Sequence, residues 1–225
     1  MISPVQTAPK FEVLDYLETR ASNDSFTMVE LGHGRYPVVD LQPHSFTGQQ
    51  CYIGVEAGMR GQGKEFAAKR TQELFVGKNA FFLQHNIGKG KVTQKDILSN
   101  DQTYDGEYHT ETVLPAGIAN EVVASNVFCD PLIAQSWSRT VCLLQEVSRL
   151  LDRTGTAVLR ETITPGMVDA IGDVSLGRAR LQVLARVTRM TGNTWQTLEN
   201  VYGVDQQPGR WDGYYLFLGK TATDS

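Results

Sequence analysis

The sequence lacks any cysteine spacing that predicts a disulfide framework or a metal site. Its three cysteines, Cys51, Cys129 and Cys142, are an odd number at wide intervals, with no Cys-x-x-Cys pair. This usage is typical of reduced thiols and favours a cytoplasmic location. Strong charge is also lacking. The formal net charge is −4, so no global basic surface is available to attract nucleic acid or an anionic membrane.

Long apolar runs are absent as well. None approaches the ~20 residues that a membrane-spanning helix needs, and the first residues show neither the charged nor the apolar region of a signal peptide. The composition, 41% hydrophobic and 20% charged, is ordinary for a globular protein. A length of 225 residues suits one α/β domain with a full-size core. We therefore expect a soluble, intracellular protein of one domain.

Predicted strands and helices alternate along the chain. The apolar patterns predict strands at 26–29, 51–56, 121–128, 156–164 and 214–218. They predict helices at 10–20, 38–42, 58–76, 143–151 and 181–190, with Gly155 capping the fourth of these. Residues 80–83 fit either a helix or a strand, and the character of 194–201 stays open. Such alternation predicts a mostly parallel sheet covered on both faces.

A glycine loop follows the first predicted strand. Residues 30–34 read Glu-Leu-Gly-His-Gly, and the second strand ends in another acid, Glu56. Glycine tolerates positive φ and lets the backbone approach a ligand closely. A carboxylate at the tip of the second strand can accept hydrogen bonds from both hydroxyls of a ribose. Together the two signals indicate a Rossmann-like site for an adenosyl cofactor.

In this order the segments resemble a class I S-adenosylmethionine-dependent methyltransferase over roughly residues 29–164. The loop at 30–34 matches the family's Glu/Asp-x-Gly-x-Gly pattern, and 52–56 matches its second strand. Leu114-Pro115 followed by 121–128 resembles its fourth strand, and 143–155 its next helix and turn. The resemblance implies a Rossmann-like three-layer sandwich with a mostly parallel seven-stranded sheet and an antiparallel last strand. It also implies one domain, 1–225, with a helical lid at 1–25 and a polar insertion at 86–109.

The resemblance also implies roles for individual residues. S-adenosylmethionine would be the cofactor, Glu30 would orient its amino group, and Glu56 would bind its ribose. The backbone of the loop would lie against the cofactor, Asn126 would end the fourth strand beside it, and Asp130 would face the acceptor as the catalytic candidate. The cofactor-binding candidates are Glu30, Gly32, His33, Gly34, Glu56, Ala57, Glu111 and Asn126.

Each assignment has a structural alternative. Glu30 could be a solvated acid at a strand end, and Glu56 an acid at a helix N-terminus. Asn126 and Asp130 could be turn residues only. The sequence departs from the family pattern where Tyr36 replaces the third loop glycine and where Glu111 stands in for the usual adenine-contacting Asp.

Metal chemistry finds no support in the sequence. His44, His85 and His109 are far apart and show no metal-ligand spacing, so we assign no metal.

We expect methyl transfer to a small-molecule acceptor by a monomer or homodimer, with no membrane partner, because the acidic net charge disfavours a polyanion. One rival is a tRNA or RNA base methyltransferase, although residues 132–137 lack the basic tract expected after Asp-Pro. A nicotinamide dehydrogenase is disfavoured by proline at position 37, where the third glycine would stand. The third rival is a non-catalytic Rossmann-like interaction domain.

Overall fold

A computed structural model describes residues 11–34, 37–42, 45–56, 79–84, 114–134, 137–161, 165–174, 179–188, 193–202 and 214–221. The predicted helix at 58–76, the polar insertion at 86–109 and the first ten residues of the lid lie outside this part. Within the described residues, no helix is long and apolar enough to cross a membrane.

Seven strands and the helices between them follow one another along the chain. The strands are β1 Thr27–Leu31, β2 Cys51–Glu56, β3 Ala80–Gln84, β4 Ala119–Ser125, β5 Leu151–Glu161, β6 Leu181–Val187 and β7 Tyr214–Lys220. The described helices are α1 Val13–Ala21, α2 Val38–Leu41, α3 Pro131–Ala134, α4 Trp137–Leu150, α5 Pro165–Val174 and α6 Thr194–Tyr202.

All seven strands form one sheet in the order β3-β2-β1-β4-β5-β7-β6. Strands β1 to β5 pair in parallel, whereas β7 is antiparallel to both β5 and β6. The chain order reverses between β1 and β4, which is where doubly wound sheets place their ligands. The predicted fold class, including the antiparallel last strand, is confirmed.

Both faces of the sheet are covered, which explains why the inner strands are apolar without alternation. On the α1 face, Val13, Val38 and Leu198 of helices α1, α2 and α6 pack on Met28 and Phe217. On the opposite α4 face, the core joins buried residues of α4 and α5 to the sheet: Leu143, Leu144, Val147, Leu150, Ile171, Val29, Val122 and Leu159. Burial of these two layers is the main favourable contribution to folding.

The structure corrects two predictions. Residues 181–190 were predicted as a helix, but Leu181–Val187 is the edge strand β6. A register shift between Val183 and Ala185 breaks the two-residue alternation, so apolar neighbours imitate a helical spacing. Gly155 is not a helix cap, since it lies inside β5, where a Cβ atom would come within 2.9 Å of the Ala119 carbonyl oxygen. Its missing side chain allows β4 and β5 to approach.

Two open assignments are settled by pairing and packing. Residues 80–83 belong to strand β3, because Ala80 to Gln84 pair in parallel with β2. Residues 194–201 are helical, and Leu198 and Tyr202 of α6 are buried against the α1 face.

A buried polar cluster joins helices α1 and α6 to the centre of the sheet. Glu121 of β4 is fully buried; it accepts hydrogen bonds from the hydroxyls of Tyr16 and Tyr202 (3.1 Å for Tyr202) and lies 3.1 Å from Arg20 Nε. Burial raises the pKa of both tyrosines, which keeps their hydroxyls protonated as donors. Burial also raises the pKa of Glu121, while Arg20 and the two hydroxyls oppose that shift. The cluster fixes α1 against β4.

We predict that Glu121→Leu alone destabilises the protein by about 3–5 kcal/mol, because it leaves the buried Arg20 cation without its counter-charge. The double variant Arg20→Met/Glu121→Leu should recover most of that loss. Urea unfolding measures both, with Asp169→Asn as the control, since its ion pair with Arg186 is exposed. A loss for Glu121→Leu no larger than for Asp169→Asn would contradict this account.

Candidate functional site

The loop after β1 turns sharply through two glycines in the left-handed region. Gly32 has φ +67° and Gly34 has φ +55°, and the Gly32 amide donates to the Val55 carbonyl of β2 at 2.8 Å. Other L-residues pay about 1–2 kcal/mol for this conformation. The predicted glycine loop therefore exists and lies at the carboxyl edge of the sheet.

Gly32 also lets the loop after β1 touch the loop after β4. A Cβ atom built on Gly32 would lie 2.7 Å from Cγ2 of Val127, closer than real side-chain contacts allow. The two loops therefore meet at the point where the strand order reverses, and only glycine fits between them.

Glu56 lies over the same loop. Its Oε2 accepts a hydrogen bond from the Gly34 amide at 3.0 Å. A carboxylate has about four lone-pair positions, so this bond leaves most of its acceptor capacity for another ligand. Two residues that the sequence predicted as ribose and cofactor contacts are thus brought together across β1 and β2.

Glu30 is not a solvated acid, so that alternative is wrong. The residue is 1% exposed, and its Oε2 accepts hydrogen bonds from the Val38 amide at 2.8 Å and the Tyr52 hydroxyl at 2.5 Å. Burial raises the pKa of Glu30 to about 7, although these two hydrogen bonds lower it. Glu30 therefore ties the start of α2 to β1 from beneath the loop, and a direct cofactor contact remains a prediction.

The His33 ring packs inward. It lies edge to face against Phe82 with ring centres 5.0 Å apart, and its Nδ1 is 3.1 Å from the Gly34 carbonyl oxygen. A Cβ atom on Gly54 would come within 3.0 Å of both rings, so Gly54 makes room for the pair. This packing links the loop to β3.

Asn126 ends β4 in an unusual backbone conformation. Its φ is +54°, its amide donates to the Arg160 carbonyl at 2.7 Å, and its Oδ1 lies 3.8 Å from Cys129 Sγ. Asparagine adopts the left-handed region more readily than most residues. Its turn role is therefore confirmed, and contact with a cofactor stays a prediction.

Asp130 lies at the same edge, directly before α3. Its carbonyl oxygen accepts from the amides of Ile133 at 2.9 Å and Ala134 at 2.8 Å. This bonding explains Asp-Pro as the start of a short helix. The catalytic role assigned to its carboxyl group stays a prediction.

Glu161 is the site residue that the sequence reasoning missed. It ends β5, is 2% exposed, and accepts hydrogen bonds from three successive amides: Val127 at 3.2 Å, Phe128 at 3.2 Å and Cys129 at 3.0 Å. Burial raises the pKa of Glu161 to about 7 against these bonds. Its signal in the sequence is an acid inside the apolar run predicted as a strand at 156–164. Glu161 holds the loop that carries Asn126 and Asp130.

The structure thus collects most of the predicted site at one sheet edge. Its described members are Glu30, Gly32, His33, Gly34, Glu56, Asn126 and Asp130. Ala57 and Glu111 lie outside the described residues. Among the described His, Cys, Asp and Glu side chains, none are grouped in a way that could hold a metal ion.

The arrangement suits a ligand with hydroxyl groups and a part that lies flat against the backbone. Among the described residues, a Cβ atom built at Gly34 would meet only the Gly32 carbonyl oxygen, at 3.9 Å, so none of them fills the space above the loop. The Glu56 carboxylate borders that space through its bond to the Gly34 amide. These features fit the adenosyl and ribose groups implied by the sequence resemblance.

Comparison with known proteins supports the fold. No protein-family model matches the sequence, and no curated sequence is significantly similar to it. Solved structures do match over most of the chain. A SAM-dependent methyltransferase from Aquifex aeolicus superimposes with a TM-score of 0.55 at 11% identity, over 91% of this chain and 87% of that one.

Two other methyltransferases give the same result. A TehB-like SAM-dependent methyltransferase from Corynebacterium glutamicum has a TM-score of 0.52 at 11% identity, over 92% of this chain and 86% of that one. The methyltransferase CalH in complex with SAH has a TM-score of 0.53 at 16% identity, over 89% of this chain and 53% of that one. The chain therefore has the class I SAM-dependent methyltransferase fold.

We predict that Gly32→Ala destabilises the protein more than Gly48→Ala does. Both glycines have nearly the same positive φ, +67° and +63°, but at Gly48 a Cβ atom meets none of the described residues within 4 Å. Gly48→Ala should cost about 1–2 kcal/mol of backbone strain, and Gly32→Ala a further ~1–3 kcal/mol from overpacking against Val127. Urea unfolding measures both free energies, and equal losses would contradict the close contact of the two loops.

We also predict a falling stability between about pH 4.5 and pH 7. The pKa of Glu30 and that of Glu161 rise from 4.5 to about 7 on folding, so the folded protein binds more protons than the unfolded chain in this window. The free energy of unfolding must then fall as the pH rises through it. Urea unfolding at pH 4.5 and pH 7.5 tests this, and Glu30→Gln and Glu161→Gln should each reduce the difference. An unchanged difference in both variants would refute it.

Proposed function

We propose that this protein is a methyltransferase that uses S-adenosylmethionine to methylate a small-molecule acceptor. The observation that carries the proposal is the contact between Glu56 and the Gly34 amide, above two glycines with positive φ. It brings the predicted ribose-binding acid to the predicted cofactor loop. The fold supports the same proposal, because the class I methyltransferases that this chain resembles bind their cofactor at this edge of the sheet.

Glu56 would bind the cofactor through its ribose. A ribose presents two neighbouring hydroxyl donors, and a carboxylate accepts both in a charge-assisted pair. The bond from the Gly34 amide holds the Glu56 side chain in place before a ligand arrives. In the proposal, the backbone of Gly32, His33 and Gly34 lies against the methionine and ribose parts of the cofactor. Glu111 contacts its adenine, and Ala57 is a further cofactor contact.

Glu30 would act on the cofactor from below the loop. Its Oε2 is occupied by the Val38 amide and the Tyr52 hydroxyl. Any interaction with the cationic amino group would therefore use the other carboxylate oxygen, directly or through water. A nearby cation would also favour the ionised form of this buried acid.

When bound, S-adenosylmethionine supplies a methyl group already activated by its sulfonium. The task left to the chain is to align the acceptor with the methyl group and to exclude water. Such alignment can lower the activation barrier by about 7–11 kcal/mol. In the proposal, the acceptor meets the cofactor beside Asn126 and Asp130. Glu161 holds the loop that carries both residues through the amides of 127–129. Asp130 would serve as general base if the acceptor carries a proton at the working pH.

The acceptor is proposed to be a small molecule because the chain has no charge pattern for a polyanion. The net charge is −4, and residues 132–137, which follow Asp-Pro, include no basic side chain. Cys51, Cys129 and Cys142 are all free thiols, in keeping with the expected cytoplasmic location.

We predict that S-adenosylhomocysteine raises the free energy of unfolding by about 2.7 kcal/mol at a hundredfold excess over its dissociation constant. Glu56→Ala, which removes the ribose acceptor, and Gly34→Val, which places a branched side chain in the loop, should lose most of this gain while remaining folded. Glu18→Ala, an exposed change on α1, is the control. A non-catalytic domain predicts no gain in any of the proteins. A full gain in both site variants would disprove the site.

A further inference from the structure

Arg160 is a buried cation close to the candidate site. It is 9% exposed and is the second-last residue of β5. Its carbonyl oxygen accepts the Asn126 amide at 2.7 Å, which fixes Arg160 beside the end of β4.

The register of the sheet defines what surrounds the Arg160 side chain. Arg160 is aligned with Ser125 of β4 on one side and with Tyr215 of β7 on the other. Aligned residues of neighbouring strands point to the same face, and Tyr215 belongs to the core of the α1 face. Glu161 follows Arg160 in the strand and therefore points to the opposite face, where it binds the amides of 127–129.

No carboxylate in the described part of the chain pairs with the Arg160 guanidinium. The ion pairs formed there join Arg20 to Glu121, Arg149 to Glu146 and Arg186 to Asp169. The Arg160 guanidinium hydrogen-bonds the Tyr215 hydroxyl, which itself donates to Glu199 Oε1 at 3.0 Å. The hydroxyl thus stands between Arg160 and that acid, and one oxygen cannot accept from all five N–H donors of a guanidinium.

Ser125 contributes a second unused polar group at the same place. Its Oγ is buried and has no hydrogen-bond partner among the described residues. A buried hydroxyl without a partner costs about 1–3 kcal/mol. Ser125 and Arg160 are thus aligned in register on one face, the first with a hydroxyl that has no partner and the second with no carboxylate partner among the described residues.

A buried cation that no anion offsets is costly, because the desolvation penalty of a charge is several kcal/mol. The described residues supply no carboxylate that pairs with Arg160. An anionic ligand removes that cost. The planar guanidinium matches a carboxylate or a phosphate group with two parallel hydrogen bonds, and a serine hydroxyl can add a third. The chemistry of the pair thus selects a compact anion.

We propose that Arg160 and Ser125 form a subsite that binds an anionic group, a carboxylate or a phosphate, on the methyl acceptor. This inference rests on the proposed function, because it places the subsite next to Asn126 at the edge where acceptor and cofactor would meet. The subsite gives a chain of negative net charge a local preference for an acidic small molecule. It orients the acceptor and takes no part in the transfer of the methyl group.

The test follows the Arg160 side chain directly by NMR. In the full chain labelled with ¹⁵N-arginine, the Nε–Hε signal of Arg160 is assigned by its absence from Arg160→Lys. Acetate and inorganic phosphate are the probes, and acetamide is the neutral control of the same size. We expect acetate or phosphate to shift the Arg160 signal in a saturable way, and acetamide and the signals of exposed Arg153 and Arg180 to show no such shift.

Ser125→Ala provides the matched variant. It should keep the fold and weaken binding of the same anion by about tenfold, because a hydrogen bond to a charged group is lost. The absence of a saturable shift with either anion would overturn the proposal. The proposal would also be overturned if Ser125→Ala bound the anion as tightly as the unmodified protein and if acetate and acetamide bound with equal affinity.

A second arm distinguishes the acceptor from the cofactor as the source of the anion. S-adenosylhomocysteine carries a carboxylate, whereas 5′-methylthioadenosine lacks it. Suppose that S-adenosylhomocysteine shifts the Arg160 signal and blocks acetate binding, whereas 5′-methylthioadenosine does neither. The subsite then binds the carboxylate of the cofactor, and the assignment to the acceptor fails. If acetate still binds in the presence of S-adenosylhomocysteine, the assignment is supported. Loss of S-adenosylhomocysteine binding with intact anion binding would count against the proposed function alone.

Discussion

The contact between the loops after β1 and β4 constrains the rest of the site. Any side chain at Gly32 would collide with Val127, so the two loops meet only through glycine. They meet where the strand order reverses between β1 and β4, and doubly wound sheets have their ligand crevice at that point, outside the carboxyl ends of the strands. Glu56 is the last residue of β2 and Asn126 follows β4 directly, so both lie at that edge. The location of the candidate site thus follows from the topology, and its shape follows from one missing side chain.

Two buried acids support this crevice from opposite faces of the sheet. Glu30 binds the first amide of α2 on the α1 face, and Glu161 binds the amides of 127–129 on the α4 face. Each uses a carboxylate to satisfy backbone donors that would otherwise lie buried without partners. Burial raises the pKa of both acids to about 7. Both side chains therefore change charge near neutral pH while they hold the loops. The loops that face the ligand are therefore positioned electrostatically as well as by packing.

Much of the fold could be predicted from the sequence because its strands carry strong apolar runs and its glycine loop carries a motif. Glu56 was found this way, since an acid at a strand end is visible in the sequence. Glu161 and Arg160 were not, because their importance comes from pairing between strands distant in the chain. Strand β6 was mistaken for a helix because a register shift hides its alternation. Glu30 was predicted in a loop after the first strand but lies within β1, and its burial beneath α2 comes from contacts with Tyr52 and Val38 that the sequence pattern does not show.

Calorimetric titration of the unmodified protein with S-adenosylhomocysteine, with NADH as the comparison ligand, tests the central claim most directly. The account predicts saturable binding of S-adenosylhomocysteine with one site per chain and no binding of NADH, because proline at position 37 stands where a dinucleotide loop needs glycine. Binding of neither ligand would contradict an adenosyl site and reduce the glycine loop to a structural turn. Binding of NADH alone would replace methyl transfer with a dehydrogenase.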